Sequence, residues 1–316
     1  MPFVPSPRQV AFTLMLLATL ATTHAGTQPQ VVASIAPLHS LVAGVMQGVN
    51  TPQLLLSGGE TPHSFSLRPS DARMLHRADV VFWIGAELER PLQQVLSTLS
   101  RSRSVSLIDA PGLDRLPMRG IHDHGHAEAG AAPRADAAVD PHIWLSPHNA
   151  MAMNDEIARV LSIVDPANAQ QYQRNARQQR AQLQALDGAL RETLAGLPAA
   201  FAVFHDAYQY FEHAFGLHSS ATVTTHPERR PGAAHLHELR EALEKQQIRC
   251  LFSEPQFDAR LLARLSDGLP IRHAVLDPLG ATIPPGPDAY AQLMQELAAT
   301  LGNCLKEDAA QWRKNH

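Results

Sequence analysis

The chain is short of several things that would place it quickly. Only 18% of its 316 residues are charged, with a formal net charge of −4 when histidine is neutral. That balance offers nothing for nucleic acid or a membrane surface. The apolar run near the N-terminus is too short to span a bilayer, and no other segment reaches the roughly 18 apolar residues of a membrane span. The HExxH helix of zinc proteases does not occur, and neither does the GxSxG elbow of serine hydrolases. Cysteine is limited to Cys250 and Cys304. What the chain does have is histidine, 17 in all. Histidine is the commonest metal ligand among side chains. Hydrophobic residues make up 45%, enough for a globular fold, and the length suits two ordinary domains.

The N-terminus follows the export pattern. Arg8 is the only early charge, Val10 to Leu20 is apolar, and Thr23-His24-Ala25 ends in small residues. Residues 1–25 are expected to be a signal peptide cleaved after Ala25. No cysteine lies near that point, so a lipid anchor at the new N-terminus is not expected. In an oxidising compartment Cys250 and Cys304 form either one disulfide or two separate buried thiols.

The remainder alternates short apolar runs with amphipathic stretches. Strands are expected at Val31–Ile35, Gln53–Leu56, Asp79–Gly85 and Ser104–Asp109, with helices at His39–Met46, Pro69–Ala78 and Glu87–Leu99. Pro111 to Asp140 is rich in Gly, Ala, Pro, His and Asp, has no apolar period, and reads as a surface loop. Pro147–Val164 is a helix. Asp165-Pro166 breaks it, and Ala167–Ala195 reads as one long helix with Gly188 its weak point. The second half repeats the rhythm: strands at Ala202–Phe204, Ser219–Thr224, Ile248–Ser253 and Ile271–Leu276, helices at Ala207–Phe215, Ala233–Gln247, Asp258–Leu269 and Asp288–Leu305. The fold class expected is α/β: two lobes, each a mostly parallel sheet flanked by helices, joined by a long rigid connector helix. The boundaries are 26–165 for the first lobe, with a His-containing loop at 111–140, 166–197 for the connector and 198–316 for the second lobe.

Four polar donors fall at strand ends or in the loops after them. They are His63 in TPHSF, His142 in DPHIW, His205 in FHDAY and Asp277 in LDPLG. In open parallel sheets ligands bind outside the carboxyl ends of the strands, so four such donors, two per half, can meet in one crevice. Any one of these histidines alone reads more readily as a surface residue than as a ligand, and Asp277 before proline likewise suits a turn. Asp140 and Asp206 would either fix a histidine tautomer or cap helices. His122, Asp123, His124 and His126 form a second cluster of alternating donors, either a weak auxiliary metal loop or a solvated His-rich stretch. His235 and His237 lie on an expected helix and read as surface residues.

The chain resembles the metal-binding solute-binding proteins of bacterial ABC importers for zinc and manganese, and among them the periplasmic zinc-binding members. The resemblance runs from Val31 to Leu305. It is carried by HSFSLRPSDARML from His63, DPHIWLSP from Asp140, FHDAYQYF from Phe204, PERRPGAAHLHELR from Pro227, FSEPQF from Phe252 and LDPLG from Leu276. It implies Zn2+ held by His63, His142, His205 and Asp277, a donor set that suits tetrahedral zinc. Manganese relatives carry a carboxylate at the third position, where this chain has His205. Pro62 stands where some relatives place an acidic residue, which leaves the fourth donor as Asp277, water or, remotely, Glu60. Zinc relatives also carry a disulfide where Cys250 and Cys304 lie, and a usually longer His-rich loop near residues 122–126.

The same resemblance implies a periplasmic protein, monomeric and without catalysis. It would pass zinc to an inner-membrane ABC permease with its cytoplasmic ATPase. Two other readings are an exported zinc hydrolase, which needs an open coordination position and a general base, and a manganese-binding or adhesin-like relative.

Overall fold

The computed structural model describes residues 28–57, 59–99, 103–119, 138–198, 200–224 and 232–306. The expected leader, residues 1–25, and the loop donors His122, Asp123, His124 and His126 lie outside the described residues.

Runs that are buried on both faces make the strands. β1 (Val31–Ala33) and β3 (Val80–Trp83) are buried throughout, as central strands of a parallel sheet must be. With β2 (Gln53–Leu54) and β4 (Ser104–Ser106) they form an all-parallel sheet in the order β2-β1-β3-β4. Helices α1 (Ala36–Val45), α2 (Pro69–Arg77) and α3 (Arg90–Leu96) make the crossovers. The second sheet has β5 (Phe201–His205), β6 (Ala221–Thr224), β7 (Cys250–Ser253) and β8 (Arg272–Val275) in the order β6-β5-β7-β8. It is connected by α6 (Gln209–Phe215), α7 (Ala233–Lys245) and α8 (Arg260–Leu265). The two halves thus share one topology although their sequences show no close repeat.

Strand β3 is shorter than its apolar run. Beyond Trp83 the N–H groups of Ile84 and Gly85 donate to the buried Glu89 carboxylate, at 2.8 and 3.1 Å, and so leave the sheet ladder. Burial pushes the Glu89 carboxyl up to about 7, against the opposing effects of the Ser34 side chain and of the Gly85 and Ile84 N–H groups. The expected strand Ser104–Asp109 likewise stops at Ser106 and turns into a short 3-10 segment, Leu107–Asp109.

Between the sheets lie α4 (Pro147–Val164) and α5 (Ala169–Leu194). Ser146 caps α4 by accepting the N–H of Asn149, and Pro147 occupies the first turn, which explains why its limits were readable in the sequence. The 26 residues of α5 span about 39 Å. Leu183, Leu186, Leu190 and Leu194 line its buried stripe. Where α5 crosses α1, Gly44 allows the approach: a Cβ there would lie 2.2 Å from the Gln179 amide. Gly188 has no such reason. It is exposed, and a Cβ there meets nothing within 4 Å. Gly188→Ala is therefore expected to stabilise the protein by about 0.5–1 kcal/mol, read from urea unfolding. A loss of stability would mean that the helix needs the glycine.

The last helix, α9 (Ala289–Lys306), touches β8 of the second sheet but also reaches back to the first half. It packs against α1 and α5. Ser40 of α1 donates to Pro287 O and accepts the N–H of Tyr290. One hydrophobic core accordingly runs through both halves, from Val31 to Leu305. A smaller core, with Val223, Leu243, Leu251 and Leu262, belongs to the second half alone. Cys250 and Cys304 form a disulfide between β7 and α9. Among the described residues, no helix is long and apolar enough to cross a membrane.

Candidate metal site between the lobes

Three of the four expected donors meet. His63, His142 and His205 each offer a ring nitrogen, all within 4.8 Å of one another. Their ring centroids are 4.9 to 5.4 Å apart. His205 is the last residue of β5. His63 comes from the turn between β2 and α2. His142 is not at a strand end: it stands far past β4, at the start of a 3-10 turn, Ile143–Leu145.

The hollow they line holds about 10 Å³, the space of one water-sized particle. Trp144, Phe257 and Leu279 help to close it. A larger hollow, about 880 Å³, lies between α3, β4 and α4; its titratable lining, Glu87, Asp109, Glu156 and Arg159, includes no histidine.

Each buried histidine has a carboxylate behind it. Asp140 Oδ1 lies 2.7 Å from Nδ1 of His142 and also accepts that residue's backbone N–H at 3.0 Å. The ring is thereby turned so that Nε2 faces Nε2 of His63, 3.4 Å away. His205 Nδ1 lies 3.4 Å from Glu254 Oε1, an ion-pair distance rather than a well-formed hydrogen bond. Glu254 was not singled out from the sequence, although it directly follows an expected strand. The β5–β7 register pairs Val203 with Phe252, which brings Glu254 beside His205 at the sheet's switch point.

These surroundings set the charges. Burial holds His142 well below the usual histidine range, and its neighbour His205 lowers it further. Burial acts on His205 in the same sense, but the combined pull of Glu254, Asp206 and Asp140 outweighs it and raises the ring above its ordinary value. Burial pushes Asp140 up to about 7, against the opposing effects of the His142 N–H and Arg119.

The other expected donors are placed differently. Both carboxylate oxygens of Asp277 are used by its own turn: Oδ1 accepts Leu279 N–H at 2.9 Å and Oδ2 accepts Ala281 N–H at 2.5 Å. Glu60 pairs with Arg68 at 3.3 Å. Neither joins the three histidines. Asp206, expected behind a histidine or as a cap, is taken by Arg119, which donates to both its oxygens. His235 is half-buried, with Nε2 3.0 Å from Val223 O, and His237 is exposed near Glu241.

The arrangement suits an ion with tetrahedral nitrogen ligands. Zinc–nitrogen bonds of about 2.0–2.1 Å at tetrahedral angles put neighbouring nitrogens about 3.3–3.4 Å apart. The His63–His142 separation of 3.4 Å matches that spacing before any rearrangement.

Two parallel α/β lobes sharing one small histidine-lined hollow, with a long helix alongside, define a bilobed solute-binding protein. The chain belongs to the ZnuA family: the family model described as zinc-uptake complex component A, periplasmic, matches residues 31–304. It is 39% identical to the high-affinity zinc uptake system protein ZnuA of Brucella suis, over 90% of this chain and 93% of that one. Its fold is similar to a crystal structure of ZnuA, with TM-score 0.74 and 22% identity over 88% of this chain and 99% of the other. It is also similar in fold to the periplasmic zinc-binding protein TroA of Treponema pallidum, with TM-score 0.73 and 21% identity over 89% and 100%.

Proposed function

We propose that the protein captures Zn2+ between its lobes in the periplasm and delivers it to an ABC importer, without catalysing a reaction. The observation that carries this reading is the convergence of three histidine nitrogens on a one-ion hollow, in a member of a zinc-uptake family. His63, His142 and His205 are the ligands. Water fills the fourth place while Asp277 keeps its turn; Asp277 enters if its oxygens leave the N–H groups of Leu279 and Ala281. Asp140 and Glu254 hold the rings of His142 and His205 in ligand orientation and raise their basicity. Three imidazoles favour zinc over manganese, which prefers oxygen donors.

The remaining elements of the proposal concern the compartment and partners. Residues 1–25 direct export and are removed. The monomer docks on an inner-membrane permease driven by a cytoplasmic ATPase. His122, Asp123, His124 and His126 act as a weak collector apart from the tight site.

Titration with zinc, with manganese as competitor, tests the reading. One tight zinc equivalent is expected, resistant to excess manganese, and deletion of residues 122–126 should remove only weaker equivalents. Equal competition by manganese would contradict the donor assignment.

The pH dependence follows from the ring charges. Zinc needs each imidazole deprotonated. His205 is raised above its usual value, so affinity is full above that value and falls as pH drops through it. Well below the crossing, up to about tenfold should be lost per pH unit from this ring alone. A zinc affinity constant between pH 7.5 and 5 would remove His205 from the ligand set.

A further inference from the structure

We infer that Arg119 is a positioning residue that latches the segment leading into His142 onto the second lobe and so sets how long a captured zinc ion stays; this rests on the zinc-binding reading above. The segment is a two-stranded ribbon. Met118 N–H donates to Ala138 O at 2.8 Å, Asp140 N–H donates to Leu116 O at 2.9 Å, and Pro117 pairs antiparallel with Val139. The side of this isolated bridge that carries Val139 runs directly into Asp140 and His142.

Two side chains fasten this ribbon to the second lobe. The Tyr210 hydroxyl, on α6, donates to Asp140 O and accepts the N–H of Leu116, both at 3.0 Å. The Arg119 guanidinium makes the second attachment. Its Nε and Nη2 grip the two oxygens of Asp206, the residue after His205. Its Nη1 donates to Glu212 Oε2 of α6 at 2.7 Å. Both carboxylates are nearly sealed from solvent, at 7% and 2% side-chain exposure. One cation therefore faces two buried anions at the root of the site.

Such a cluster contributes little to stability compared with an apolar packing, because desolvation offsets the attraction. Its value lies in registry. A planar fork on a carboxylate fixes direction as well as distance. Here it fixes the ribbon that ends in Asp140–His142 against the strand end that carries His205–Asp206. Drawing the two lobes apart pulls His142 from His205, and it must first break the fork. Losing one partner of a buried, hydrogen-bonded charge pair acts mainly on the off-rate.

Two variants test this: Arg119→Lys, which keeps the charge without the fork, and the neutral triple variant Arg119→Met, Asp206→Asn, Glu212→Gln, which leaves no unpaired charge. Zinc release is followed in full-length protein by transfer to an excess of chelator. Capture is followed by the change in tryptophan fluorescence, to which Trp144 contributes with its ring 5.4 Å from that of His142. The off-rate is expected to rise at least fivefold in both variants, with the on-rate of Arg119→Lys within threefold of the parent. Arg115→Gln, in the same segment but exposed and paired with Asp109, should change neither rate. An off-rate rise below fivefold in a variant whose metal-free melting temperature matches the parent overturns the latch. If the triple variant does not fold, Arg119→Lys decides alone. Failure of the zinc reading would show separately, as absence of tight zinc in the parent protein.

Discussion

Replacing His205 with Ala is expected to remove tight zinc binding, lowering affinity by at least about 60-fold. Four-donor zinc sites contribute about 10–16 kcal/mol, or about 2.5–4 kcal/mol per donor, and each 1.4 kcal/mol is a factor of ten. His205 stands at the end of β5, the central strand pair of the second sheet, so backbone movement cannot bring a substitute donor to its place. The Ala variant also leaves Glu254 buried without the ring that faces it. That cost falls on folding, so affinity should be measured on protein with an intact circular dichroism spectrum. Glu60→Gln serves as the control, since Glu60 pairs with Arg68 away from the histidines. Equal affinity in the His205→Ala and parent proteins would mean that zinc sits elsewhere.

Loss of the disulfide is the largest stability effect expected. Cys250 opens β7 and Cys304 lies in α9, the helix that reaches back to α1. The bond closes a loop with a sequence separation of 54. On the chain-entropy account such a loop is worth about 4 kcal/mol, since the cross-link restricts the unfolded chain. The double variant Cys250→Ala, Cys304→Ala should lose about that much in urea unfolding of the metal-free protein. Added zinc should restore part of the loss, because a ligand that binds only the folded state stabilises it. A difference below about 1 kcal/mol would show that the unfolded chain gains little freedom from the missing bond.

Much of this was legible because the information is local. The limits of α4 follow from Ser146 and Pro147, and β1 and β3 from short runs of buried apolar residues. His205 was legible because it directly follows a strand pattern. What was not legible depends on contacts between distant parts of the chain. Asp206 follows a histidine, but its partner is Arg119, 87 residues earlier, inside a stretch that reads as a featureless loop. Glu254 becomes a neighbour of His205 only through the β5–β7 register. The end of β3 is decided by Glu89, whose carboxylate competes with the ladder for two N–H groups. Asp277 carried two readings in the sequence, ligand or turn former, and its oxygens are occupied by the turn.

The central claim is that three histidines from two lobes hold one zinc ion. X-ray absorption at the zinc edge, on protein loaded with one equivalent, tests it most directly. The account predicts a four-coordinate nitrogen and oxygen shell at about 2.0 Å with scattering from three imidazole rings, falling to two in His205→Ala. A six-coordinate oxygen shell, or one with fewer than three imidazoles in the parent protein, would contradict it.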